Sequence, residues 1–367
     1  MVVKNNYNEC LTNLACSIRK YFELGIKHNT LSYIDEILER EKPKNVVVIL
    51  FDGLGSRILD KTLDKNDFLI KNKLKDITTV FPATTTAATT STRTGLNPIE
   101  HGWLGWNTYI APIDKTITLF LNSEKDYLEV CDEFLKIKNK LVTKTIVNEI
   151  NEVRKYSAKE LFPFGNNKYE NLDDALNIIL EECKKEGKKY IYVYDDEPDH
   201  TMHEFGPDSK ETKQLIIERN RKIEELCTKL TNTLVIVVAD HGHITVENIY
   251  LNDYPDILNM LERTTSIEQR AVSFKIKEGF EDIFKEKFNE YFGEYFSLYE
   301  KEDVINSNLF GNGKPNKLFY DAIGDFIAIA EDSNKCLLTD GDYALVSQHG
   351  GYTLDEIYIP LILVRKK

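Results

Sequence analysis

NVVVILFDG, residues 45–53, is a continuous apolar run closed by an acid and a glycine. A run without polar alternation is what a parallel strand buried on both faces needs. Three more segments repeat the pattern: YIYVYDDEPDHTMH (190–203), LVIVVADHGH (234–243) and YALVSQHGG (343–351). In the first two, Asp and His follow the apolar run; in the third, His349 alone does. Ligands of open parallel sheets gather in the crevice beyond the carboxyl ends of the strands. Asp52, Asp240, His241 and His349 therefore share one expected position, with Asp199 and His203 a few residues further on. Asp199 and His203 are one helical turn apart, so both side chains can reach one point.

Taken singly, each residue has a bland reading. Asp52-Gly53 reads as a turn, Asp240-His241 as a helix cap, and His349 as a core histidine. Asp195, Asp196 and Glu197 compete with Asp199. Joint placement at strand ends argues for a ligand set. His28, His101, His200 and His243 read as structural or solvated. Three imidazoles (His203, His241, His349) and three carboxylates (Asp52, Asp199, Asp240) form a donor mix that suits Zn²⁺.

Further apolar runs lie at 77–81 and 359–364, with helical patterns at 171–185 and 212–230 between runs. Strands alternating with helices predict an α/β fold: a mostly parallel central sheet with helices on both faces. Residues 1–44 read as a helical segment packed on the core and closed by Lys42-Pro43-Lys44. Residues 111–164, rich in Lys, Glu and Asn, read as a largely helical excursion. Residues 248–318 read as a small inserted α+β cap subdomain. The core is then 45–247 with 319–367.

At 367 residues and 42% hydrophobic, the composition is that of a globular protein. A net charge of −13 argues against nucleic-acid polymers and anionic membranes as partners. No apolar run is long enough to span a bilayer, and residues 1–22 lack a signal-peptide core. The expected location is the cytoplasm. Cys10, Cys16, Cys131, Cys183, Cys227 and Cys336 are scattered, as in a reduced protein. Nothing in the sequence assigns an oligomeric state.

A Thr-rich turn, FPATTTAATT (81–90), lies between the first and second acidic segments. A hydroxyl at a helix N-terminus faces free backbone N–H groups and the positive dipole end, a setting that favours phosphate. A coordinated cation would lower its pKa and make it a nucleophile. The bland reading is that these threonines cap the helix.

These blocks, with TGLNPIEHG (94–102) and EPDHTMHEFGP (197–207), resemble in order and content the alkaline phosphatase superfamily, in its type I phosphodiesterase/nucleotide pyrophosphatase branch. The resemblance runs from about residue 45 to the C-terminus, outside the two interruptions. It implies an alkaline-phosphatase-like fold and two divalent ions, Zn²⁺ with Mn²⁺ as the alternative. Asp199, His203 and His349 would hold one; Asp52, Asp240, His241 and Thr85 the other. It implies Thr85 as the nucleophile, with Thr84 and Thr86 as alternatives because the usual Pro-Asn is absent after it. Asn107, one residue beyond the usual spacing, is the counterpart of a residue that binds a phosphoryl oxygen. No sulfatase signature is present.

The implied reaction is in-line attack on a phosphodiester or nucleotide pyrophosphate, followed by hydrolysis of a phospho-threonine. The substrate would be a small phosphate ester, such as a nucleotide. Trp106, Tyr109 and Phe205 could stack on its leaving group, though packing accounts for them as well. Arg93, eight residues past Thr85, points elsewhere, and the lack of a free cation favours diesters over monoesters. Alternatives are a phosphomonoesterase, phosphonate hydrolase or phosphomutase on the same metal core, or a non-catalytic metal-bearing module that binds a phosphorylated ligand.

Overall fold

The structure is a computed structural model that describes every residue except 1–4, 126, 128, 142, 166 and 340. Its centre is a six-stranded sheet in the order Lys73–Thr78, Tyr358–Lys366, Thr233–Ala239, Asn45–Phe51, Lys189–Asp195, Ser157–Leu161. The Tyr358 strand runs antiparallel to both neighbours, and the other five strands run one way. The three central strands are buried at every position, so their unbroken Val, Ile and Leu runs report two covered faces.

Helices cover those faces in two groups. Leu11–Tyr21, Ser32–Glu41, Thr85–Thr94 and Ile146–Val153 pack together, and Lys210–Lys229 packs on Ser56–Thr62 and Leu172–Lys184. Both groups feed one apolar core. The fold is α/β with a mostly parallel sheet, as the alternating runs predict. The chain leaves the Ser32 helix through Lys42 in the left-handed region (φ 45°), directly before Pro43.

A second sheet has seven antiparallel strands: Ser297–Glu300, Phe326–Ile329, Ala271–Phe274, Ser266–Ile267, Asn107–Ile110, Lys115–Thr118 and Ser123–Glu124. This corrects the expectation of a largely helical 111–164. Besides the Asp132–Leu141 and Ile146–Val153 helices, that stretch gives two strands to the second sheet and the Ser157 strand to the central one. Its two strands in the second sheet pair with each other and with Asn107–Ile110, and this meander joins the rest of the sheet through Ile267 opposite Asn107, far away in sequence. Local composition carries little of that signal. The second sheet also reaches beyond residue 318, through Phe326–Ile329.

Two strand boundaries differ as well. The run expected at 77–81 is a strand at Lys73–Thr78. The run expected at 343–346 is no strand: Tyr343 and Val346 are exposed, and pairing begins only at Ser347–Gln348. Four apolar residues after Gly341-Asp342 have no sheet neighbour to bury them.

The two sheets are joined by a fully buried ion pair. Arg270 donates from Nε and Nη2 to the two oxygens of Glu356 at 2.7 and 2.9 Å. Glu356 also accepts from the Gly351 and Thr353 backbone N–H groups. The pair therefore fixes the loop that follows His349. Removing one partner strands a buried charge. Glu356→Gln should cost about 3–5 kcal/mol in urea denaturation, and Arg270→Met with Glu356→Leu should recover most of it. A wild-type midpoint for Glu356→Gln would contradict this role.

Candidate active site and metal centre

The four segments converge at the carboxyl ends of the central strands. Asp52 follows its strand directly, and Asp240 and His241 follow theirs. Gly53 turns the chain at φ 73° and donates its N–H to Asp240 Oδ1 at 3.0 Å. A Cβ on Gly53 would meet Met202, His243 and the Asp199 backbone at 2.8–3.1 Å, so glycine lets the Asp199–Phe205 helix approach. That helix carries Asp199 and His203 on one face, with His203 Nε2 at 3.2 Å from Asp199 Oδ2. His349 enters from the far loop, its Nε2 3.8 Å from Asp199 Oδ1.

Thr85 is the first residue of the Thr85–Thr94 helix, with Thr84 as its N-cap. Its Oγ lies 3.4 and 3.3 Å from the two Asp52 oxygens and 3.2 Å from His241 Nε2. The Thr84 hydroxyl donates to Glu268 instead, and the Thr86 hydroxyl is buried without a partner. Thr89, Thr90, Thr92 and Thr94 each donate to the carbonyl four residues back. These four later threonines of the helix thus satisfy their own hydroxyls.

Two groups of donors could each hold a cation: Asp199, His203, His243 and His349, and Asp52, Asp199 and His241. Asp199 belongs to both. His243, read from sequence as structural or solvated, is buried with Nε2 2.5 Å from Asp199 Oδ1. Its position two residues beyond His241, on the same strand-end turn, was the available signal. Asp195 is engaged elsewhere, taking Arg219 at 2.8 Å, and Glu197 accepts the Thr201 N–H.

The donor chemistry fits divalent metal. Each imidazole has its Nδ1 tied down: His203 to Ser347 O, His349 to Ala83 O, His241 to Gly242 O, His243 to Ser347 Oγ. That leaves every Nε2 facing the cluster, the orientation that outer partners impose on metal-binding histidines. Asp240 Oδ2 is buried with no hydrogen-bond partner among the described residues, a costly state unless a cation meets it. Tyr194 donates its hydroxyl to Asp52.

The electrostatics agree. Burial, then the neighbouring Asp199 charge, raises the Asp52 carboxyl. Burial and the Asp52 charge hold Asp240 well above the usual carboxylate range. Burial opposes charge on His241, but Asp240 and Asp52 outweigh it and raise the imidazole to about 10. Burial would also raise Asp199, yet His203 and His243 hold it well below its usual range. Without a cation, protons must supply the missing positive charge.

Beside this cluster is a hollow of about 290 Å³ lined by Thr89, Arg93, Phe120, Phe162, Phe164 and Tyr194, among others. Arg93 is ion-paired there with Glu160 at 2.7 Å. Trp106 is stacked on Phe120 (centroids 5.4 Å, 16° between planes). Tyr109 bonds Asp114 and lies beneath the Arg263 guanidinium, and Phe205 is exposed at the end of the Asp199 helix. Asn107 Oδ1 accepts the Thr118 hydroxyl at 2.7 Å; its described hydrogen bond is not to Thr85. A larger hollow near Lys44 and Lys188 opens at the opposite, N-terminal ends of the strands.

The sequence profile of type I phosphodiesterase / nucleotide pyrophosphatase matches residues 46–352, the span that carries every residue of this cluster. The chain belongs to that family. It is accordingly a hydrolase of the phosphodiesterase/nucleotide pyrophosphatase type, within the alkaline phosphatase superfamily, and metal dependence accords with its Asp/His cluster. No curated protein matches it. Its fold is similar to murine ectonucleotide pyrophosphatase/phosphodiesterase 5, solved alone and as an inactive variant in complex with AMP. Each shows 20% identity and a TM-score of 0.65 over 86% of this chain and 87% of the other. The human protein gives 20% identity and 0.66 over 87% of each.

Metal binding should be visible as stability. In metal-stripped protein, Zn²⁺ at about a hundredfold over its Kd should stabilise by about 2.7 kcal/mol per site, read by thermal unfolding. Asp199→Ala, which touches both groups, should abolish most of that gain. A stripped protein whose unfolding ignores added metal would contradict the assignment.

Proposed function

We propose that this family member cleaves phosphodiesters or nucleotide pyrophosphates through a covalent intermediate on Thr85, with two divalent ions, Zn²⁺ or alternatively Mn²⁺. The observation that carries the reading is the Thr85 hydroxyl, 3.2–3.4 Å from both Asp52 and His241 at the start of a helix. Asp199, His203 and His349 would hold one ion. Asp52, Asp240 and His241, with Thr85, would hold the other. Bound there, divalent ions neutralise phosphoryl oxygens and lower the pKa of a coordinated hydroxyl.

The chain's own groups do the rest. Thr85 Oγ gives up its proton to the adjoining Asp52 carboxylate and on to solvent, and bonds to phosphorus as the opposite P–O bond breaks in line. The leaving alkoxide departs and takes a proton from solvent. The threonine ester keeps the substrate's second ester group until water hydrolyses it. The free N–H groups of the helix's first turn face the phosphoryl oxygens. Thr118 occupies Asn107 Oδ1, which turns the amide so that its N–H₂ is the end free to donate to substrate.

A diester fits better than a monoester. The nearby guanidinium, Arg93, is already neutralised by Glu160, so no spare positive charge from it meets a dianion. The 290 Å³ aromatic hollow beside Thr89 and Tyr194 suits a base or aryl leaving group. The AMP held by the murine relative is in keeping with a nucleotide here.

The test is paired hydrolysis of bis-p-nitrophenyl phosphate and p-nitrophenyl phosphate by metal-reconstituted protein. The diester should be preferred, and Thr85→Ala should lose at least about 10³-fold in kcat. Monoester preference would move the protein to the phosphatase or mutase reading. No turnover of either, with metals bound, would favour the binding-module reading.

A further inference from the structure

Glu268 enters the site from the second sheet and belongs to none of the metal-ligand groups. It follows the Ser266–Ile267 strand in the turn to Ala271–Phe274. One oxygen, Oε1, accepts two donors: the Thr84 hydroxyl at 2.5 Å and the Trp106 backbone N–H at 2.6 Å. The first donor adjoins the nucleophile, and the second adjoins Asn107. The other oxygen, Oε2, takes no hydrogen bond among the described residues and is not a buried orphan. The residue is half-buried, with its Oε1 end at the residues that adjoin Thr85 and Asn107.

The surroundings hold this carboxylate in place. Ile267, buried and β-branched, is forced to φ 75° just before it. That conformation costs on the order of 1–3 kcal/mol, and such strain persists where surrounding structure imposes it. Gly105 lets the turn approach, since a Cβ there would lie 2.5 Å from Ile267 O. Gly350, directly after His349, lets in the Glu268 side chain, which a Cβ would meet at 2.9 Å. Three site loops close on one acid.

An acid beside a phosphoryl site opposes the charge that phosphate brings. We infer that Glu268 sets the charge selectivity of the site, its carboxylate disfavouring the second negative charge of a phosphomonoester while tolerating the single charge of a diester. The inference rests on the phosphoryl site proposed at Thr85. It adds a named cause to the diester preference, which the pairing of Arg93 supports only by default. Glu268 is a specificity-determining residue and performs no chemical step.

Glu268→Gln keeps an Oε1 acceptor for Thr84 and Trp106 and removes the charge. Assays at pH 8.5 keep the wild-type acid ionised, since burial lifts its carboxyl only to about 7. Relative to the diester, kcat/KM for p-nitrophenyl phosphate should rise about tenfold or more, the scale of one unit charge several ångströms away at an effective dielectric of about 20. Glu268→Ala should shift the ratio the same way even if it loses stability. A second readout needs no turnover: in a Thr85→Ala background, calorimetry should show inorganic phosphate binding about tenfold tighter once Glu268 is Gln. A ratio moved by less than about threefold in both variants, or equal losses on both substrates, would overturn the inference. Failure of the Thr85 reading would look different: activity surviving Thr85→Ala, whatever Glu268 does.

Discussion

Three carboxylates gathered in one crevice, Asp52 and Asp240 buried and Asp199 part-buried, are the constraint around which this molecule is organised. Asp52, Asp199 and Asp240 are held by the ends of two strands and the start of a short helix, where the backbone leaves them little freedom to separate. Burial in that crevice penalises their charge, and mutual repulsion adds to the penalty. Hydrogen bonds from Gly53 N–H and the Tyr194 hydroxyl relieve part of it. The remainder calls for cations, and the imidazoles are oriented, by bonds at every Nδ1, to share in holding them. A fold that fixes such a cluster gives up stability to keep a charge-hungry site.

The second sheet is part of that site. Its Ile267–Glu268 turn presses against the start of the Thr85–Thr94 helix and the His349 loop, and its Arg270 anchors Glu356 on the other side of that loop. The loop that carries His349 is thus held from both sides, by the His203 and Ala83 contacts of the cluster and by the Arg270–Glu356 pair. The pairing of Asn107 with Ile267 also brings Trp106 to Glu268. The turn that carries Glu268 and the loop that carries His349 are therefore mechanically linked through a few buried polar contacts.

Much of this was legible in the residues. Runs such as 45–51 and 233–239 are buried at every position, and an apolar run without polar alternation suits a strand covered on both faces. Strand-end Asp and His could be grouped because parallel sheets deliver strand ends to one edge. What the residues hid was non-local. The 107–124 strands form a local meander whose link to the rest of its sheet is Ile267 opposite Asn107, far away in sequence, and YALV at 343–346 resembles a strand only until its missing neighbour is known. Glu268 sits in an ordinary hairpin turn, SIEQRA, whose importance comes from the glycines 105 and 350 that receive it. His243 needed only the thought that a second imidazole on one turn could face the same acid.

The central claim is that Thr85 becomes covalently bonded to phosphorus. The most direct measurement is a rapid acid quench of metal-reconstituted protein turning over bis-p-nitrophenyl phosphate, followed by peptide mass mapping. The account predicts a phosphoryl group, still carrying one nitrophenyl ester, on Thr85. An adduct on Thr84 or Thr86, or turnover with no adduct under conditions where hydrolysis of the intermediate is slow, would contradict it.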